Sequence, residues 1–171
     1  MSDVLIIGNG GREHALGWKL NQSPHVKKIF FASGNGGTSE NISISPNEIN
    51  KLLDFAKKKK CFIVVGPEEP LSKGIVNSFE NNGLTIFGPR KEAAELETSK
   101  VWAKNFMKKY EIKTACFRTF SNIEQAKDYV QKNDKKLVVK TNGIVAGKGV
   151  IVCNSKQEAF EALERIMVRK E

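Results

Sequence analysis

Several things are scarce in this sequence, and each scarcity removes a class of function. Only three cysteines occur in 171 residues, Cys61, Cys116 and Cys153, widely spaced and without a Cys-x-x-Cys pair. An odd count at such spacing fits reduced thiols in a cytosolic protein better than a disulfide framework or a zinc site. Their apolar neighbours predict buried core positions for them. No apolar run approaches the roughly 20 residues that span a bilayer. The chain opens almost directly on a strand pattern, so no signal or transit peptide is expected. No internal repeat or low-complexity segment occurs, and no pair of carboxylates has the look of a metal site. Charge of one sign is in excess, with a formal net charge of +9. Yet the excess is spread along helices: Met1 to Arg90 holds 11 Lys and Arg against 8 Asp and Glu, and Lys91 to Glu171 holds 17 against 11. Lys57 to Lys60 is the one run, and it closes an amphipathic helix where the macrodipole favours cations. Neither nucleic acid nor membrane is expected as a partner; a phosphate-rich small substrate accounts for the mild basicity.

What is present begins with DVLIIGNGGREHALGWKL, Asp3 to Leu20. An apolar run breaks into Gly8-Asn9-Gly10-Gly11, and a helical pattern follows at once. Strand, glycine turn, helix is the opening of a doubly wound α/β domain. Further strands are expected at Lys28–Phe31, Cys61–Val65 and Thr85–Phe87, with helices at Glu13–Asn21, Pro46–Lys59 and Leu71–Asn81. This alternation implies a parallel sheet covered on both faces. Right-handed crossovers then bring the post-strand loops GNGGRE, SGNGGT, GPEEP and GPR to one sheet edge, where such folds bind ligands.

The texture changes after Gly88-Pro89-Arg90. Lys91 to Tyr110 reads as one helix, Thr114–Phe120 as a strand and Ile123–Gln131 as a helix. Leu137–Lys140 and Val150–Cys153 read as a hairpin around a glycine-rich lysine loop. A last helix runs from Ser155 to Met167, with Ser155 as N-cap and Glu158 completing a capping box. Two domains are expected, 1–98 and 99–171, the second incomplete.

The first loop starts like G-x-G-x-x-G but carries Glu13 at the sixth position. No acidic residue closes the second strand at Phe30-Phe31, so the nicotinamide reading lacks its ribose acid. An anion turn remains, because Gly8, Gly10 and Gly11 permit close backbone approach and Arg12 can add a charged fork. His14 is expected to pack or hydrogen-bond within the first helical turn. Gly66-Pro67-Glu68-Glu69-Pro70 places two carboxylates on a rigid turn, suited to sugar hydroxyls or an amine, or simply to a helix start. Ser33 to Thr38 can wrap the same ligand. The loop Gly143 to Gly149 differs from a Walker A loop: three residues, not four, precede Gly147-Lys148, and Gly149 follows. With Lys140 before it, a glycine flap between antiparallel strands suits a nucleotide triphosphate; the plainer alternative is a flexible hairpin with surface lysines.

These motifs, in this order, resemble the phosphoribosylamine–glycine ligase (glycinamide ribonucleotide synthetase) family. The resemblance rests on GNGGREHAL, SGNGGT, VGPEEPLSKGI, IFGP, LETSK and KTNGIVAGKGVIV, and it covers essentially the whole chain. It implies a Rossmann-like (pre-ATP-grasp) parallel-sheet domain followed by a partial α+β ATP-grasp subdomain. It also implies ATP-dependent ligation of glycine to 5-phosphoribosylamine through a glycyl phosphate, in the cytoplasm, during de novo purine synthesis. By the same resemblance, Gly8, Asn9, Gly10, Gly11, Arg12, Gly34, Asn35, Gly36, Gly66, Pro67, Glu68, Glu69 and Pro70 would face phosphoribosylamine. Lys100, Lys140, Gly143, Gly147, Lys148 and Gly149 would serve ATP, which works with Mg²⁺ or Mn²⁺.

Two departures stand out. Asn142 replaces the usual Asp or Ser and keeps a hydrogen bond but no charge. The sequence also stops at Glu171, before the half of the family's clamp that supplies the metal carboxylates. The chain therefore reads as an N-terminal portion, inactive alone, with no catalytic residue or metal ligand assigned in it. Some family members carry further purine-pathway domains downstream. The competing readings are another ATP-grasp carboxylate–amine ligase and a non-catalytic phosphosugar- or nucleotide-binding module.

Overall fold

The structure, a computed structural model, describes residues 1–145 and 149–169. It comprises two compact units, Met1–Thr98 and Ser99–Glu171.

In the first unit, strands β1 (Ser2–Gly8), β2 (Val26–Ser33), β3 (Asn41–Ile42), β4 (Phe62–Val65) and β5 (Ile86–Phe87) form one parallel sheet in the order β3-β2-β1-β4-β5. β1 is central because both its faces are apolar. Leu5 and Ile7 point to a core with Phe30, Ile63, Leu52, Ile75 and Phe79, whereas Val4 and Ile6 point to one with Ile29, Phe31 and Val64. Helix α1 (Gly11–Leu20) covers the second face through Leu16 and Leu20. Helices α2 (Ile49–Lys59), α3 (Glu68–Ser72), α4 (Ile75–Asn81) and α5 (Lys91–Thr98) supply the first. Each such side chain buried in full contributes about 1.5–3 kcal/mol. Gly17 lets α1 lie close to the sheet, since a Cβ there would run into the Phe31 ring. α2 ends at Lys60 in the left-handed conformation, with Lys57, Lys58 and Lys59 in its last turn.

The helix expected over Leu71–Asn81 is two helices. Gly74 adopts φ +79 and separates α3 from α4. β3 has no counterpart in the sequence reading. The expected burial of Cys61 is borne out, but Cys116 is exposed and lies outside any core.

The second unit begins with α6 (Lys100–Lys109), so the single helix expected over Lys91–Tyr110 is broken. Ser99 is extended, at φ −127, and its hydroxyl accepts the Trp102 N–H at 3.2 Å. An N-cap restarts the chain there. α7 (Ile123–Gln131) follows, capped by Asn122, and β6 (Leu137–Lys140) pairs antiparallel with β7 (Val150–Cys153). α8 (Lys156–Leu163) is capped by Ser155, which accepts the Glu158 N–H at 3.1 Å, and a π-helical stretch, Glu164–Arg169, extends it. The Glu158 carboxylate reaches back to the Asn154 N–H, one residue before the cap. α7 and α8 bury Ala126, Val130, Ala159, Ala162 and Leu163 against Leu137, Val139, Ile151 and Cys153 of the hairpin.

The strand expected at Thr114–Phe120 is absent. β6 and β7 pair only with each other among the described residues, so this segment has no ladder to join. Lys104 holds it instead, donating to the Thr114 hydroxyl and the Ala115 carbonyl at 2.5 and 3.1 Å. No helix among the described residues is long and apolar enough to cross a membrane.

Candidate functional site

Parallel strands put the loops after β1, β2 and β4 side by side, and backbone bonds fix where they leave the sheet. Gly34 N–H donates to Gly8 C=O at 3.1 Å, and Gly66 N–H to Ile7 C=O at 3.0 Å. Side chains then tie the loops together. Asn35 Nδ2 donates to the carbonyls of Asn9 and Gly10 at 3.1 and 3.3 Å, joining the second loop to the first. Arg12 Nη1 donates to Glu68 Oε1 at 3.1 Å, joining the first loop to that after β4. The second loop is wired internally. Asn35 N–H donates to Thr38 Oγ1 at 2.7 Å, Gly37 N–H to Asn35 Oδ1 at 2.9 Å, and Asn41 Nδ2 to the Asn35 carbonyl at 2.9 Å.

At the centre lies Glu13, 4% exposed and the one buried charged side chain among the described residues. Its Oε2 accepts the Gly10 N–H at 2.7 Å and its Oε1 accepts Arg12 Nε–H at 3.2 Å. Gly8, Gly10 and Gly66 form its cradle: a Cβ on any of the three would collide with the Glu13 side chain. Sequence reasoning treated Glu13 only as a break in a nucleotide fingerprint. The signal that finds it is its place three residues after an N-cap, where a glutamate reaches back to the cap N–H. Asn41 was missed as well, because it lies beyond the recognisable motif.

The electrostatics follow the geometry. Hydrogen bonds to Glu13 and then Glu68 raise the already high Arg12 pKa. Its own backbone N–H, and then Arg12, hold Glu68 below the usual glutamate range. Glu69 is lowered by Lys73 and then Asn47, and it bonds Lys73 along its own helix at 2.7 Å rather than Arg12. Pro67 caps α3 and Pro70 is buried in it. Gly11 and Gly36 have open space where a side chain would be. The His14 ring lies against Gly37 of the second loop, where it fills the space of a Cβ. Arginine, backbone amides and a carboxylate at one sheet edge can receive a ligand with both a phosphate and hydroxyl or amine groups.

The second unit has its own polar cluster. Lys100 Nζ donates to the Gly143 carbonyl at 2.9 Å, and Gly143 adopts φ +97. Asn142 Oδ1 accepts the Val101 N–H at 3.1 Å and the Ser99 hydroxyl at 3.4 Å. Gly149 closes the loop, its carbonyl accepting the Thr141 N–H at 2.8 Å. Lys140 is exposed at the end of β6. Gly147 and Lys148 lie outside the described residues. Among the described residues no group of three His, Cys, Asp or Glu can hold a metal ion. A site for Mg²⁺ or Mn²⁺ built from three such protein ligands is thus not present among the described residues.

A parallel-sheet unit with tied glycine loops, followed by a lysine-bearing hairpin unit, is the arrangement of the ATP-grasp class. Residues 98–171 match the family described as phosphoribosylglycinamide synthetase, ATP-grasp (A) domain, and residues 2–97 match the N domain of the same synthetase. The chain belongs to the phosphoribosylglycinamide synthetase family. It is 49% identical to a bifunctional purine biosynthetic protein of Pichia angusta, over 99% of this chain and 22% of that one. It is 44% identical to a phosphoribosylamine–glycine ligase of Rhodopirellula baltica, over 99% of this chain and 41% of that one. The crystal structure of phosphoribosylamine–glycine ligase from Thermotoga maritima superposes with a TM-score of 0.74 at 37% identity, covering 93% of this chain and 38% of that one. The chain thus spans well under half the length of these relatives.

Proposed function

We propose that the protein carrying this chain ligates glycine to 5-phosphoribosylamine with ATP, yielding glycinamide ribonucleotide, ADP and phosphate. In this reading residues 1–98 receive phosphoribosylamine and residues 99–171 form the first part of the ATP clamp. The observation that carries it is the cross-tied cluster of Asn9–Gly10, Arg12, Asn35 and Glu68, which offers cation, amides and carboxylate in one place. Arg12 and the first amides of α1 take the phosphate, while Glu68 and the Gly34–Gly36 loop address the sugar and its amine.

The chemistry proceeds in two balanced steps. A glycine carboxylate oxygen attacks the γ-phosphorus, the bond to the β-phosphate oxygen breaks, and ADP leaves with that electron pair. The phosphoribosylamine nitrogen then attacks the glycyl carbonyl carbon, phosphate leaves, and the nitrogen loses a proton. Lys100 and Lys140, with Gly143–Gly149, offset the charge that builds on the transferred phosphoryl group. Any Mg²⁺ or Mn²⁺ would be held by carboxylates of the later part of the clamp, beyond this chain, and would offset charge on the phosphates. We take the cytoplasm as its compartment, a reading that the few, widely spaced cysteines of the sequence support, and the bifunctional relative from Pichia angusta supports a link to other purine-pathway activities.

The test is ADP release by the full-length protein with glycine and freshly generated phosphoribosylamine. Release that depends on both substrates is expected, and none from the 171-residue chain alone. Release that requires a different amine would replace this reading with another ATP-grasp carboxylate–amine ligase. Ribose 5-phosphate binding without turnover in the full-length protein would point to a non-catalytic binding module.

A further inference from the structure

We propose that Glu13 is a positioning residue that aims Arg12 at the phosphate of the incoming ligand; this rests on the phosphosugar reading above. Glu13 fills the space left by the missing Cβ atoms of Gly8, Gly10 and Gly66, and its side chain is 5% exposed. It is anchored by the Gly10 N–H at 2.7 Å. From that fixed point its other oxygen takes the Nε–H of Arg12. The guanidinium is thereby gripped on its inner edge while its side chain stays 56% exposed.

Glu68 holds the outer edge through Nη1, from a position that is itself 40% exposed. The two partners differ in kind. An exposed pair exchanges readily with water and with other anions, so a phosphate can take the outer edge from Glu68. A buried carboxylate that satisfies a backbone N–H does not leave so easily. Glu13 thus keeps the fork oriented while the ligand replaces Glu68. An arginine without that inner hold would spend its long side chain's freedom on every binding event.

Glu13→Gln separates this role from support of the turn. Glutamine has one acceptor oxygen, which goes to the part-buried Gly10 N–H, and its NH₂ then faces Arg12 Nε–H, donor against donor. The experiment is calorimetric titration of full-length wild type, E13Q, R12A and E13Q/R12A with ribose 5-phosphate, with thermal midpoints alongside. E13Q and R12A should each weaken binding about tenfold, the scale of one charge-assisted hydrogen bond. The double variant should bind no worse than R12A, because Glu13 acts through Arg12. Losses that multiply in the double variant, or wild-type affinity in E13Q, overturn the proposal. If E13Q does not fold, Arg12→Lys serves: an ammonium keeps the charge but lacks the rigid fork whose Nε edge Glu13 holds while its outer edge faces the ligand, so it should bind clearly more weakly than wild type, and wild-type affinity overturns the proposal. Wild type that binds no ribose 5-phosphate overturns the phosphosugar reading and this proposal with it.

Discussion

Glu13 fills the space that a side chain on Gly66 would need, although Glu13 lies in the first turn of α1 and Gly66 in the loop after β4. The loop after β4 can therefore approach the first turn of α1 only because residue 66 has no Cβ. The same carboxylate closes against Gly8, which sits at φ +132 in a region that L side chains rarely adopt.

Gly66→Ala should thus cost stability by overpacking, about 1–3 kcal/mol. Gly36→Ala is the control, since nothing lies within 4 Å of a Cβ there, and it should stay within about 0.5 kcal/mol. Urea denaturation midpoints of the two variants decide it. Equal midpoints would mean that Glu13 can move aside.

The glycine loops and the main strands could be read from sequence because each has a local cause. β1, β2 and β4 are apolar runs with both faces buried, and α7 shows one clean helical stripe ending in Ala126 and Val130. What escaped had no local signature. β3 is two residues long and exists only because Phe31 and Ala32 offer it a ladder. Thr114–Phe120 has strand-like composition but no neighbouring strand. The helical pattern across Ser99 is continuous in side chains, and only the hydroxyl's capture of the Trp102 N–H interrupts it. In the candidate site, the motifs gave the loops but not their ties. Arg12 and Glu68 stand 56 positions apart, and Asn35 reaches carbonyls, which no side-chain pattern reports.

The three cysteines should differ sharply in reactivity. Burial, and then Asp3, push the Cys61 thiol up to about 11, and burial also raises Cys153. At pH 8 a thiol at about 11 is thiolate in about one part per thousand. Cys116 is exposed. Of the three cysteines in this chain, a thiol-reactive chromophore should therefore label only Cys116 fast in the folded state, and all three in denaturant, as read by peptide mass mapping. Fast labelling of Cys61 or Cys153 would contradict its burial.

The tie between Arg12 and Glu68 should outlast ordinary carboxylates on acidification. Glu68 is held below the usual glutamate range by its own N–H and by Arg12. An unfolded glutamate titrates at about 4.3. A lowered folded value makes the contribution complete above that pH and lost as pH falls through the folded value. Both side chains are more than a third exposed, so screening keeps the effect on global stability small. Carboxyl-carbon NMR of Glu68 is the direct measure. Its midpoint should lie below the ordinary range and rise in Arg12→Ala while remaining lowered, because the backbone N–H is the larger cause. A midpoint that does not move in Arg12→Ala would mean that Arg12 and Glu68 do not pair in solution.

The family resemblance leads to an expectation of Asp or Ser at position 142, and the placement of Asn142 says what an asparagine does there. Its Oδ1 accepts from Val101 at the start of α6, next to Lys100, whose Nζ holds the following residue's carbonyl. The side chain therefore works as an acceptor at a helix N-terminus, where negative charge is favoured. Asn142→Asp keeps the acceptor and adds charge, and it should stabilise the second unit by about 0.3–1 kcal/mol. Asn142→Ala removes the acceptor and should cost about 1 kcal/mol, as loss of a cap does. Denaturation midpoints and exchange protection of the Val101 amide would report both. Because charge with the helix dipole is the cause, the gain in Asn142→Asp should shrink at high salt while the loss in Asn142→Ala persists. An Asp variant less stable than wild type at low salt would show that Asn142 does not sit at that helix end.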